Sequence, residues 1–183
     1  TDRWPDNPIY YGNYIAYYLP SKYREGKLTL NTPEEINDVI AKLDHGERIE
    51  PDNAFYNFMK AAILIQASSE LSVDAGHTYE TKDQNGKSKT TKCSQIKITH
   101  PAGFERGLAE FLKGLPKPHF TSHSVDMARL RLDLLPPVGD MAEYVRRLGF
   151  KVQTLLPGLG ESRNLTKSIC AYALQLAETQ KRD

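Results

Sequence analysis

The sequence predicts a mainly α-helical protein: a compact bundle of six to seven helices, one inserted β-hairpin at about residues 73–99, and an extended N-terminal arm. Apolar residues repeated at helical spacing, preceded by helix-capping residues, indicate the helices. The Asn85-Gly86 pair between two stretches of alternating residues indicates the hairpin, because both positions of a two-residue turn need positive φ. We therefore expect an arm at 1–23 and one domain at 24–183.

The arm is rich in aromatic residues. Early prolines favour extended backbone, and a short helix is expected from Ile9 to Leu19. Its tyrosines form two adjacent stripes, so they cover more surface than one packed helix face needs. Tyrosine also tolerates partial exposure, because its hydroxyl can stay in water. We assign oligomer contacts to the aromatic residues of the arm: Trp4, Tyr10, Tyr11, Tyr14, Tyr17 and Tyr18.

The two clearest helices follow the arm. Thr32-Pro33-Glu34-Glu35 supplies an N-cap, a proline in the first turn and a glutamate three residues after the cap. This helix is expected to end at His45-Gly46. A second helix is expected from Asp52, and because it is apolar over more than half of its surface it is predicted to be the central core helix.

Four more helices are expected in the second half of the chain. The first follows His100-Pro101, with Leu112 and Leu115 on its apolar face and three glycines that weaken it. Ser124 is expected to cap the next helix, which Pro136-Pro137 ends. Asp140 caps a third, and the last starts at Asn164.

Charge is unevenly distributed along the chain. Residues 1–76 are acidic, and the remainder is basic. The hairpin holds five lysines, and arginines and a lysine further along could extend them into a track that follows a phosphate backbone. The same lysines could instead protect the strand edges from pairing with other chains. The predicted nucleic-acid-binding residues are Lys82, Lys87, Lys89, Lys92, Lys97, Arg129, Arg131, Arg146, Arg147, Arg163 and Lys167.

Other chemistry finds little support in the sequence. Gly86-Lys87-Ser88 resembles the end of a phosphate-binding loop, but Thr81 stands where that motif needs glycine. A zinc site could be drawn from Cys93 and three histidines, His100, His119 and His123, but the usual paired cysteines are missing. We predict no catalytic residue, metal or cofactor.

These observations predict a non-enzymatic assembly protein, a subunit of a nucleoprotein or capsid-like polymer that binds single-stranded RNA or DNA through its backbone. Two alternatives remain: a protein-binding adaptor or regulatory subunit that uses the aromatic arm, and a small hydrolase that uses Cys93 or a histidine cluster. Two cysteines and no long apolar run predict a reducing location, the cytoplasm or a virion, without a membrane segment.

Overall fold

The computed structural model of the chain describes residues 6–24, 27–30, 32–82, 87–133 and 159–180. Within them the protein is mainly helical with one long antiparallel hairpin, as predicted. The α-helices are α1 (Pro8–Tyr18), α2 (Pro33–Ile49), α3 (Ala54–Ser68), α4 (Pro101–Gly114), α5 (Ser124–Asp133) and α6 (Leu159–Gln180). The strands are β1 (Tyr23–Arg24), β2 (Lys27–Leu28), β3 (Ser69–Lys82) and β4 (Ser88–Ile98), and a 3-10 turn spans Leu19–Lys22.

Helix α1 belongs to the helical body. Asn7 caps it, since its side-chain oxygen accepts hydrogen bonds from the next backbone N–H groups, at 3.0 Å from Ile9 N. The helix packs on α2 and α5 and buries Ile15, while Leu19 beyond it is also buried. The extended arm is therefore not confirmed for residues 8–22, and Trp4 lies outside the described residues.

Local capping chemistry sets the start of α2. Thr32 accepts a hydrogen bond from Glu35 N, and the Glu35 carboxylate accepts one from Thr32 N, each at 3.2 Å. The predicted capping box is confirmed. The predicted end at His45-Gly46 is wrong, because the helix runs on to Ile49. A Cβ at Gly46 would lie 2.2 Å from the Tyr56 ring, so this glycine allows α2 to approach α3.

Helix α3 is the central core helix, as predicted, and it separates two apolar clusters. Its first turn is capped by Asn53, one residue after the predicted start. The cluster shared with α1 and α2 is formed by Tyr11, Ile15, Leu19, Val39, Ile40, Leu43, Phe55, Tyr56, Met59, Ile63 and Leu64. The cluster shared with α4, α6 and the hairpin is formed by Ala61, Ala62, Ile65, Ile96, Phe104, Leu165 and Ala171.

The glycines of α4 let this helix lie close against α3. A Cβ at Gly107 would lie 2.7 Å from Ile65 Cγ1, and one at Gly114 would lie 2.8 Å from the Phe58 ring. These glycines therefore serve helix packing, which corrects the expectation that they only weaken the helix. The predicted burial of Leu112 and Leu115 is also wrong: they are 62% and 56% exposed.

Two helix starts in the second half differ from the prediction. Ser124 is the first residue of α5, and the residue before it, His123, accepts the first helical hydrogen bond from Met127 N at 2.9 Å. Helix α6 begins at Leu159, five residues before the predicted Asn164. The predicted helix after Asp140 lies outside the described residues.

The hairpin is confirmed, but it begins at Ser69, directly after α3 and earlier than predicted. Its register pairs Leu71 with Ile96 near the base and Lys82 with Ser88 at the far end. The pairing shifts between Ser72 and His77, where β3 carries extra residues. Asn85-Gly86 lies outside the described residues.

Candidate nucleic-acid interface

The hairpin is attached to the helical body at its base. Leu71 and Ile96 pack with the cluster between α3, α4 and α6. Just beyond β4, the Ser68 carbonyl accepts hydrogen bonds from the backbone N–H groups of Thr99 and His100, at 2.9 and 3.1 Å. The chain therefore enters and leaves the hairpin at the C-terminal end of α3, and this root is held by apolar packing and backbone hydrogen bonds.

A side chain from α6 covers the outer edge of β4 at the same level. The Gln175 Oε1 atom accepts a hydrogen bond from Ile96 N at 3.3 Å, and Gln175 Nε2 donates one to the Ile96 carbonyl at 3.1 Å. The glutamine amide thus occupies both backbone groups that a neighbouring strand would use. Sequence reasoning did not single out Gln175, since its partner lies 79 residues away.

The two strands of the hairpin differ in charge. Strand β4 contains Lys89, Lys92 and Lys97 and no acidic residue. Strand β3 contains three acidic residues, Glu70, Asp74 and Glu80, and one lysine, Lys82. At the base, Lys97 Nζ lies 3.9 Å from Glu70 Oε2, and both side chains are exposed. The ribbon therefore has a basic strand and an acidic strand side by side.

The predicted basic residues fall on three separate elements. Lys82, Lys89, Lys92 and Lys97 lie on the hairpin, and exposed Lys87 directly precedes β4. Arg129 is exposed on α5, whose sequence also contains Arg131. Exposed Arg163 and Lys167 lie on α6. Arg146 and Arg147 lie outside the described residues.

Of these three elements, the hairpin and α6 contact each other. Arg163 and Lys167 are four residues apart and therefore neighbours on one face of α6. Leu165, Ser168 and Ala171 of the same helix are buried. The same helix contacts β4 through Gln175. Helix α5, with Arg129, packs instead against α1.

The aromatic residues assigned to oligomer contacts are only partly exposed. Tyr11 lies in the core, its hydroxyl donates to the Lys42 carbonyl at 2.8 Å, and burial raises its pKa to about 12. Tyr14 and Tyr18 are half-buried and stack on each other. Tyr10 and Tyr17 are 39% and 48% exposed. Of the described tyrosines, these two remain candidates for contact with a partner.

A buried charged network, which sequence reasoning missed, links α2, α3 and α4. Lys60 of α3 is 2% exposed, and its Nζ lies 2.6–2.8 Å from three carboxylates, those of Asp44, Glu47 and Glu110. Lys113 and Lys117 each approach Glu47 Oε1 at 2.9 Å. The signal in the sequence was a lysine within a helix that is apolar on almost every side.

Opposite charges determine how this network titrates. Burial works to raise the pKa of the Glu47 carboxyl, but hydrogen bonds from Lys113, Lys60 and Lys117 outweigh burial and hold that pKa well below its ordinary value. Burial likewise works to lower the pKa of Lys60, and its carboxylate partners outweigh burial and raise it. Glu47 and Lys60 therefore remain charged at neutral pH, and their contacts link three helices.

His123 is held between two carboxylates. Its Nδ1 lies 2.9 Å from Asp126 Oδ2 and its Nε2 lies 3.0 Å from Glu50 Oε2. Its backbone has φ 56, in the left-handed region, and the ring packs against Gly12 of α1, where a Cβ would lie 3.0 Å from the ring. Because both ring nitrogens are engaged, His123 fixes the loop before α5 and is a poor candidate for a catalytic base.

The remaining candidate ligands are dispersed. His100 precedes α4, and His119 pairs with Asn53 through a backbone bridge. Across the hairpin, Cys93 is the backbone partner of His77. In the described residues, no group of three or more histidine, cysteine, aspartate or glutamate side chains is arranged to hold a metal ion.

No helix in the described part of the chain is long and apolar enough to cross a membrane.

Comparison with known proteins adds no relative. No family model, no curated protein and no solved structure matches the chain.

Proposed function

We propose that the protein is a non-enzymatic assembly subunit that binds the phosphate backbone of RNA or DNA through its hairpin. The observation that carries this proposal is the composition of β4, with three lysines and no acidic residue on a strand of eleven residues. At about 3.4 Å per residue this strand covers the spacing of several nucleotides. The packed root holds the base of the hairpin against the helical body. Lysines on a two-stranded ribbon are suited to contact with phosphates.

Two exposed cations on helix α6 support the proposal. Arg163 and Lys167 are exposed neighbours on the helix that also holds β4 through Gln175. A polyanion bound along the hairpin would find two further cations on α6. Basic residues that act together in this way raise both affinity and association rate at low salt.

The test is the salt dependence of binding to single-stranded RNA, measured by fluorescence anisotropy with Lys89→Gln/Lys92→Gln. Loss of two phosphate contacts should weaken binding and reduce the slope of log affinity against log salt by about 1.4, since each contact on a single strand contributes about 0.7. The matched control, Arg48→Gln/Arg106→Gln, removes two exposed charges outside the proposed interface and should bind like the wild type. Affinity that does not change with salt would contradict the proposal.

The exposed tyrosines of α1 favour a second candidate function, a protein-binding adaptor. Tyr10 and Tyr17 are exposed on a helix whose other face is in the core. Tyr10→Ser/Tyr17→Ser should remove a protein partner that the wild type retains, while the thermal unfolding transition stays unchanged. Deletion of the whole segment would not be informative, because Ile15 and Leu19 belong to the core. If both proteins retain the same partners, this function is wrong.

A further inference from the structure

We propose that copies of this chain join through their hairpins, with the β3 edge of one copy pairing with the β4 edge of the next. This inference rests on the assembly part of the proposed function and specifies how the subunits meet. The occupant of each edge is a second copy of the same chain. The contact is heterologous, because two different edges of the same ribbon are used.

The first reason is that each strand has one strand partner. Within the described residues, β3 and β4 form a two-stranded sheet, and no third strand pairs with either. Isolated two-stranded ribbons are only marginally stable in water. An unpaired edge presents a row of backbone N–H and C=O groups that can pair with another chain. Further strands would therefore stabilise the part of the ribbon beyond its packed base.

The second reason is charge complementarity, and it identifies the partner. Beyond the base, β4 carries two lysines, Lys89 and Lys92, and no acid, while β3 carries two acids, Asp74 and Glu80, and one lysine. Stacking β3 of one copy against β4 of the next alternates acidic and basic strands throughout the assembly. Pairing β3 with β3, or β4 with β4, would instead place like charges on neighbouring strands, which is destabilising. The charges therefore favour the head-to-tail contact over a symmetric one.

The third reason is that the protein already uses this edge for amide pairing. Gln175 occupies both backbone groups of Ile96, which restricts strand addition to the part of β4 beyond the base. A strand added there would form hydrogen bonds with the next backbone groups along the same edge of β4. Strand addition uses backbone groups in the plane of the sheet, whereas side chains stand on its two faces. The backbone groups that join the subunits are therefore distinct from the side chains on the two faces of the sheet.

The test uses two charge-reversed proteins and their mixture, studied by sedimentation velocity after nuclease treatment and a high-salt wash to remove nucleic acid. The basic-β3 variant is Asp74→Lys/Glu80→Lys, and the acidic-β4 variant is Lys89→Glu/Lys92→Glu. In each variant alone, both strands have the same sign of charge. In the mixture, every β3 edge meets a β4 edge of opposite sign.

We expect each variant alone to self-associate at least about tenfold more weakly than the wild type, because several like charges face each other across the joint. The mixture should recover to within about threefold of the wild type. The control Arg48→Glu/Arg106→Glu changes the net charge as much as the acidic-β4 variant, but on α2 and α4, and should associate normally. Variants that associate like the wild type, or a mixture that does not recover, would overturn the inference.

Folding of each variant is checked by far-UV circular dichroism and thermal unfolding. If charge reversal unfolds a variant, two neutral variants replace the pair: Asp74→Asn/Glu80→Gln and Lys89→Gln/Lys92→Gln. Each should self-associate more weakly than the wild type. Self-association equal to that of the wild type overturns the inference. Failure of this inference can be distinguished from failure of the proposed RNA binding, because RNA binding of the monomeric basic-β3 variant is measured separately. That variant keeps the β4 lysines and should bind RNA at least as tightly as the wild type.

Discussion

The helical body around α3 and the β3–β4 hairpin are built in opposite ways. Helix α3 is buried on nearly all sides, and it contacts α2 and α4 closely enough that glycines are needed at the crossings. The hairpin is packed at its base by Leu71 and Ile96, and its sequence beyond the base is mostly polar. Removing buried groups from the body should therefore cost stability, whereas changing the hairpin should cost interactions with partners.

The largest effect is expected at Lys60. Lys60→Ala leaves Asp44, Glu47 and Glu110 without their shared cation, and breaking a buried ion pair in this way typically costs about 3–5 kcal/mol. Urea unfolding measures the change. The control is Lys113→Ala, which removes another cation from Glu47 but from an exposed position, and should cost about 0–1 kcal/mol. Equal effects at the two lysines would refute the distinction between buried and exposed partners.

The same network should make the body sensitive to acid. The pKa of Glu47 is lower in the folded chain than in the unfolded chain, so its contribution to stability is present above the ordinary carboxyl pKa of about 4.3 and is lost as pH falls toward the folded value. Thermal unfolding between pH 7 and pH 3 should show this loss. In Glu47→Gln the contribution is absent at every pH, so the acid-dependent loss should be smaller; an unchanged profile would contradict this.

A smaller effect, about 1–3 kcal/mol of destabilisation, is expected for Gly107→Ala, because the added methyl group would lie 2.7 Å from Ile65 Cγ1. Helix propensity alone predicts the opposite sign, a gain of about 1 kcal/mol. Urea unfolding therefore separates the two causes by sign. Glu105→Ala, at an exposed position of the same helix, is the control and should change the free energy of unfolding by less than about 0.5 kcal/mol.

Gln175→Ala should cost about 1 kcal/mol, since it removes two hydrogen bonds that water can partly replace. Amide hydrogen exchange gives the sharper comparison: the Ile96 N–H should exchange faster, while the amides of α3 should remain protected. Thr179→Ala, one turn later on α6, is the control. Uniform loss of protection across both regions would show that the hairpin root and the core unfold as one unit.

The smallest effect on folding is expected for Lys89→Gln/Lys92→Gln. These lysines lie on the hairpin beyond its packed base, so the free energy of unfolding should change by less than about 0.5 kcal/mol. The same protein is the one expected to lose RNA affinity. A large loss of stability measured by urea unfolding would mean that the hairpin contributes to the core, and would remove the contrast between the two regions.

Sequence reasoning succeeded where the determinants are local. The capping box requires two residues that are three positions apart, Thr32 and Glu35, and the structure contains it at the predicted position. The apolar surface of α3 predicted a central helix, and it is central. The alternating residues on either side of Asn85-Gly86 predicted the hairpin because a two-residue turn and its flanking strands are close in sequence.

It failed where a residue responds to a distant part of the chain. Gly46 was predicted to end α2, but it lies inside the helix, where the Tyr56 ring occupies the space that a Cβ would need. Lys60 has partners on α2 and α4, which periodicity within α3 cannot reveal. For the candidate interface, the sequence indicated the lysines and their charge, while the Gln175 contact and the hairpin root required the three-dimensional arrangement.

The contact between Gln175 and Ile96 has a consequence for the order of events during translation. The two residues are separated by 79 positions, so the edge of β4 leaves the ribosome well before the amide that covers it. At about 5–20 residues per second, that interval is about 4–16 seconds. On a polysome, neighbouring nascent chains would hold uncovered β4 edges close together during this time, and completion of α6 would then close the edge at its base.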